Sequence, residues 1–219
     1  LSGEPGIGKS TLILELAGFL SKKGKVLYVS GEESLGQIKL RAQRLNVNSN
    51  DLLIFTETNL FEIENQIEKT KPDFIMIDSI QTIEKGDIAS SCGSITQVKE
   101  CGLYLIQIAK NKNIPLFIIG QITKDGTIAG PRILEHMVDT VLYFEGDQNA
   151  IFRILRTTKN RFGGTNEVGI FEMTEKGLCE ILDPSKILLE KESLGAPGSV
   201  VAATTSGTRP LMVEIQALV

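Results

Sequence analysis

The sequence is poor in the residues on which metal and redox chemistry usually rest. Its 219 residues include one histidine and three cysteines. Cys92, Cys101 and Cys179 contain no closely spaced pair of the kind a zinc site or redox motif requires, so they are expected as reduced, structural thiols. His136 lies in "ILEHMVD", an expected helix, where packing or surface exposure accounts for it. A protein-ligated transition metal is thereby set aside. No apolar run approaches the roughly 18 residues needed to cross a bilayer, and the first residues have neither the basic start nor the cleavage site of a signal peptide. The expectation is a soluble protein without a membrane partner, cytoplasmic, or organellar if the source is eukaryotic. An excess of basic charge is missing too: 23 Lys and Arg against 27 Asp and Glu give a net charge of −4. That argues against a surface gripping nucleic acid everywhere and leaves room for a local basic channel.

Apolar residues are plentiful, 42% of the chain, enough for a large core. Strand candidates at 25–30, 51–55, 73–78 and 115–121 alternate with helical segments, the pattern of an α/β fold with a parallel sheet between helices. Helices are expected over 10–22 with Leu12, Leu16, Phe19 and Leu20 inward, over 34–45 and 59–69, and over 94–113 with Ile95, Val98, Leu105 and Ala109 inward. Gly102 slightly weakens the last of these. Three further strand candidates, 139–146, 151–158 and 167–173, are joined by short polar turns, which predicts antiparallel pairing at the sheet edge. One domain therefore runs over 1–183. Residues 184–219 read as a linker followed by two strands around "SGTRP". A phosphate loop normally follows a buried strand, and only Leu1 and Ser2 precede it here, so the chain is expected to be a fragment at both ends.

Several motifs carry chemistry. "GEPGIGKST" satisfies G-x-x-x-x-G-K-S from Gly3 to Ser10 immediately before an amphipathic helix, which makes the signal strong. Gly3, Gly6 and Gly8 let the backbone amides of a loop completed by Glu4, Pro5 and Ile7 turn toward phosphates, with the helix N-terminus adding partial positive charge. Lys9 is expected on the β and γ phosphates of ATP, Ser10 on Mg²⁺, and Thr11 beside the α phosphate. Asp78 ends the apolar strand "FIMID", where a carboxylate needs a cation or donors; the Mg²⁺ shell, reached through water, is its expected partner. In "YVSGEES" either Glu32 or Glu33 could polarise an attacking water, Glu32 being preferred; the lesser alternative is two solvated glutamates at a helix start, without catalysis. Gln121 ends its strand as a γ-phosphate sensor or an ordinary polar terminus. Lys85, Lys124 and Arg132 lie in or just beyond the two adjacent loops and are candidates to meet a nucleic-acid backbone.

Together with "IDSIQT", "GSITQVKEC", "TTKNRFGGTNEVGIFEM" and "GTRPLMVEIQALV", these motifs resemble the RadA/Sms family of recombination proteins, within the RecA and DnaB-type ATPases. The resemblance implies a RecA-like P-loop core and a homohexameric ring. It also implies an ATP- and Mg²⁺-dependent motor on single-stranded DNA that supports branch migration beside a RecA-type recombinase. By the same resemblance, Lys159 and Arg161 of "KNRFG" act across a subunit interface on the neighbour's ATP, with Asn160, Phe162 and Gly163 shaping the turn. Read from the residues alone, this stretch is a basic hairpin turn in which Gly163 and Gly164 supply positive φ. The family's zinc module is absent from this chain, and the last residues resemble only the first strands of its Lon protease-like domain. Gln121 stands where the family usually carries histidine. The alternative expectation is a KaiC-like nucleotide switch that controls partner binding.

Overall fold

A computed structural model describes residues 1–121, 130–146, 151–182, 198–206 and 209–217; for 130–132, 206, 209–211, 214 and 216 it describes backbone alone. The chain opens with β1 (Ser2–Gly3), α1 (Lys9–Leu20), β2 (Val26–Ser30) and α2 (Leu35–Arg44). It continues through β3 (Leu52–Thr56), α3 (Leu60–Thr70), β4 (Phe74–Asp78), a 3-10 turn at Ile80–Thr82 and α4 (Ile95–Lys112). Next come β5 (Leu116–Ile118), β6 (Gly120–Gln121), α5 (Gly130–Glu135) and β7 (Thr140–Glu145). The strands β8 (Phe152–Asn160), β9 (Val168–Thr174) and β10 (Gly177–Glu180) follow, and then the antiparallel hairpin of β11 (Ser199–Ser206) and β12 (Arg209–Gln216).

The strands order as β3-β2-β4-β5 and β6-β1-β7-β8-β9-β10. Only Ile119 separates β5 from β6, and its N–H donates to Ile77 O at 2.9 Å, so the two sets run on as one twisted sheet. Pairing is parallel from β3 to β7 and antiparallel from β7 to β10. Side-chain alternation divides the central strands between two cores. Leu27, Val29, Ile75 and Ile77 pack against α3 and α4, whereas Val26, Tyr28 and Met76 pack against α1 and α2. Burying each such side chain stabilises the fold by roughly 1.5–3 kcal/mol.

Local chemistry fixes the helix starts. Ser34 forms a capping box with Gln37, and Asn59 and Ser94 accept from the amides of Phe61 and Gln97. Gly102 has a positive reason to be glycine, since a Cβ there would lie 2.4 Å from Leu134 Cδ2, where α5 crosses α4.

Four sequence expectations need correction. The fully buried face of α1 is Ile13, Leu14 and Ala17, against which the expected Leu16 and Leu20 pack only partly buried; Phe19 is exposed beneath the Lys23 ammonium, and Leu12 and Leu16 line a 920 Å³ apolar groove with Phe117, Val141 and Phe162. Ile95, in the first turn of α4, is also exposed. His136 falls after the end of α5 rather than within it. The fourth is β10, an unforeseen edge strand that exists by pairing with β9. Cys92 and Cys179 are exposed and Cys101 is buried, all as free thiols. No helix among the described residues is long and apolar enough to cross a membrane. The linker expected after residue 183 lies largely outside the described residues.

Candidate nucleotide site

The loop from Gly3 to Gly8 joins the end of β1 to the start of α1. Gly3 is level with Phe144 of β7, and a Cβ on it would stand 2.3 Å from the Phe144 carbonyl oxygen, so backbone packing itself requires glycine. Gly8 precedes α1 at φ +110°, a left-handed conformation that side chains resist, and it offers no side-chain cap. The first-turn amides of Lys9, Ser10 and Thr11 therefore lack intrahelical acceptors, and no acidic side chain occupies that turn. The arrangement fits an anion. Lys9 is buried and donates to the carbonyls of Gly3 (2.8 Å) and Glu4 (2.6 Å), inside the loop it is expected to serve. Burial lowers its pKa to about 8, against the opposing influence of Asp78, Glu32 and Glu4.

Sheet order brings the distant carboxylates here. Ser30 of β2 is level with Asp78 of β4, which carries Glu32 just past the strand end to the same edge. Asp78 is 3% exposed and accepts hydrogen bonds from the Tyr28 hydroxyl at 2.6 Å and from Ser10. Burial raises its carboxyl pKa; the two hydrogen bonds oppose that rise, and the charges of Glu32 and Glu33 add to it. Glu32 accepts from the Ser79 hydroxyl and, at 2.6 Å, from the Gln121 amide. Glu33 is instead held by Arg41 of α2 through two contacts of 2.5 Å. Glu32 thus faces the edge where the loop opens while Glu33 is committed to a helix. Buried Lys9, Ser10, Asp78 and an adjacent carboxylate form a donor and acceptor set suited to a nucleoside polyphosphate with a divalent cation.

Three participants were missed from sequence: Tyr28, Ser79 and Arg153. The Arg153 side chain on β8 is buried, and its Nε donates to Ile7 O in the loop at 3.1 Å. The available signal was a single basic residue at an inward position of an apolar strand, "IFRIL".

The remaining candidates lie elsewhere. Lys159 is level with Val141 on β7 and donates to Glu135 O at 2.6 Å, satisfying a carbonyl at the end of α5. Arg161 pairs with Asp139 at 2.9 Å on the surface. Asn160 accepts from the Phe162 amide at 3.1 Å, and neither Gly163 nor Gly164 takes positive φ, so a side-chain-anchored turn replaces the glycine turn expected from the residues alone. Phe162 is 84% exposed. Lys85 is drawn to Asp87 at 3.2 Å and to the Tyr104 ring at 5.7 Å, rather than standing free. Lys124 and the Arg132 side chain lie outside the described residues.

A phosphate loop on an inner strand of a mainly parallel sheet, with carboxylates converging from the ends of the paired strands β2 and β4, defines the RecA-like class of P-loop ATPase domains. Residues 1–127 match the AAA domain family, to which the chain belongs. Along its whole length the chain is 56% identical, over 220 residues, to DNA repair protein RadA of Bacillus subtilis (strain 168). It is 55% identical over 219 residues to DNA repair protein RadA of Streptococcus pneumoniae (strain ATCC BAA-255 / R6). The resemblance read from the motifs therefore holds throughout, although the chain spans about half the length of these relatives, 48% and 52%. Among solved structures, the RadB recombinase superposes with a TM-score of 0.60 at 20% identity, covering 82% of this chain and 90% of that one. The flagellar accessory protein FlaH from Methanocaldococcus jannaschii superposes with 0.63 at 16% identity, over 83% and 87%. These two likenesses establish the fold.

Proposed function

We propose that the chain is the ATPase core of a DNA-stimulated ring motor. It assembles as a homohexamer on single-stranded DNA and drives branch migration in recombinational repair beside a RecA-type recombinase. One observation carries the reading: Lys159 and Arg161 stand at the edge of the sheet opposite their own phosphate loop. Phe144 is level with Gly3 and Val141 with Lys159, a step of three residues or about 10 Å along β7. Arg161 begins further on, with its N–H bonded to Asp139 O. Within one chain neither cation reaches a phosphate held at the loop, whereas a neighbour stacked against that edge would receive both.

In this reading the loop amides and Lys9 hold the β and γ phosphates, and Thr11 supports the α phosphate. Ser10 and, through water, Asp78 would hold Mg²⁺, and the ion would neutralise phosphate charge. Glu32 orients and polarises the attacking water, and Gln121, bonded to that same carboxylate, senses the γ phosphate. Lys159 and Arg161 from the next subunit compensate charge that shifts during phosphoryl transfer, which makes turnover depend on assembly. The core spans 1–183, and 184–219 form a linker and the start of a Lon protease-like domain.

Steady-state ATP hydrolysis, measured with and without single-stranded DNA over a range of protein concentrations, tests the proposal. Stimulation by DNA with a steep concentration dependence is expected. Slow hydrolysis indifferent to both would favour the nucleotide switch instead.

A further inference from the structure

We infer that Arg153 is a positioning residue for phosphate binding: by donating to Ile7 O it fixes the Ile7–Gly8 peptide with the Gly8 N–H aimed into the loop. This deepens the proposed function and rests on the reading that Gly3–Thr11 holds a nucleoside polyphosphate.

The argument begins with the geometry of a peptide. In a planar trans peptide the C=O and the following N–H point in opposite directions. The Ile7–Gly8 peptide is trans, since the one cis bond among the described residues joins Asp78 to Ser79. Its carbonyl is taken by Arg153 Nε at 3.1 Å from the β8 side. The Gly8 N–H must then face away from β8, and no acceptor among the described residues takes it. A flipped peptide would reverse both groups and present a carbonyl to the phosphates, turning an attraction into a repulsion.

Two features show that this peptide is held deliberately. Ile7 is 1% exposed, so the loop is pinned by its side chain as well as by its carbonyl. Arg153 is 5% exposed, and its Nη1 also donates to Phe152 O at 2.9 Å, which fixes the guanidinium against its own strand. A buried arginine is costly to a fold, and orienting a loop carbonyl gives it a specific task. Gly146 makes room for it: a Cβ there would lie 2.9 Å from Arg153 Cδ.

The test exploits side-chain length. In Arg153→Gln the amide nitrogen occupies the place of Nε, retaining the donor without the charge, while Arg153→Met keeps the bulk and loses the donor. Binding of fluorescent ADP and AMP to each variant is measured by titration, alongside thermal melting without nucleotide. R153M is expected to bind ADP about tenfold more weakly, with R153Q within about threefold of the unaltered protein. The ADP-to-AMP affinity ratio should fall in R153M because AMP lacks the β phosphate, whereas general loosening would weaken both nucleotides alike.

Unaltered ADP affinity in R153M, or an equal loss in R153Q and R153M, would overturn the inference, the second result assigning the effect to charge. Should both neutral variants fail to fold, Arg153→Lys preserves the charge and puts a methylene at the position of Nε; full ADP affinity there overturns it too. Failure of the unaltered protein to bind ADP would instead remove the nucleotide reading beneath it.

Discussion

The two edges of the sheet are built in opposite ways. At the edge bearing the phosphate loop, Lys9, Asp78 and Ser79 are each at most 5% exposed and are hydrogen-bonded, Lys9 to loop carbonyls, Asp78 to buried Tyr28 and Ser79 to the exposed Glu32. At the other edge Arg161 and Asp139 meet with side chains 49% and 42% exposed, a pair that contributes about 0–1 kcal/mol. A buried network is expensive to rearrange, so it suits a site that must be complete before its ligand arrives. A surface ion pair can exchange its anion at little cost. The difference teaches that one edge is buried and internally bonded while the other leaves a cation in an exchangeable surface pair, the distribution expected if, as proposed, the site is divided between two subunits.

The comparison breaks most readily at the loop. Lys9→Ala is expected to lower ATP turnover by about 10²–10³-fold, read as steady-state phosphate release. Turnover at the original rate would mean that the buried edge is not the reaction site. The two glutamates sharpen the point. Glu32→Gln should lower turnover about 10²-fold while ADP affinity holds. Glu33→Gln should leave turnover within a few-fold and cost about 1 kcal/mol or less through the lost Arg41 pair. The reverse ranking would transfer the water-polarising role to Glu33.

Packing beneath the loop can be tested without nucleotide. Gly3→Ala forces a methyl against the Phe144 carbonyl and should destabilise the fold by about 2–3 kcal/mol in urea denaturation. An unmoved midpoint would show that the approach of β1 to β7 is looser than 2.3 Å implies. The smallest effect on a single chain belongs to the exposed edge: Arg161→Ala should change stability by less than about 1 kcal/mol and leave ADP affinity untouched. A larger loss of either would make Arg161 a structural residue of its own subunit.

These contrasts also explain what the sequence could reveal. Runs such as "VLYVS" and "FIMID" are buried on both faces of a parallel sheet, and this continuous apolarity makes the strands legible. The phosphate loop is legible because its function depends on local backbone geometry. By contrast, β10 has little pattern of its own and is created by pairing. The stripe on α1 misleads because the helix carries apolar residues both toward the sheet and toward the groove lined by Leu12 and Leu16. Glu32 and Gln121 are 89 residues apart, and only strand order reveals their bond. Lys85 reads as a free cation because its ties to Asp87 and Tyr104 depend on the folded path of the loop.

Mixing two defective proteins tests the divided site most directly. Lys9→Ala and Arg161→Ala subunits, each inactive alone, are combined at varied ratios and assayed for DNA-stimulated ATP hydrolysis. Partial recovery that peaks at intermediate ratios is predicted, since some interfaces then join an intact loop to an intact Arg161. No recovery at any ratio, with co-assembly verified, would contradict a role for Arg161 across the interface.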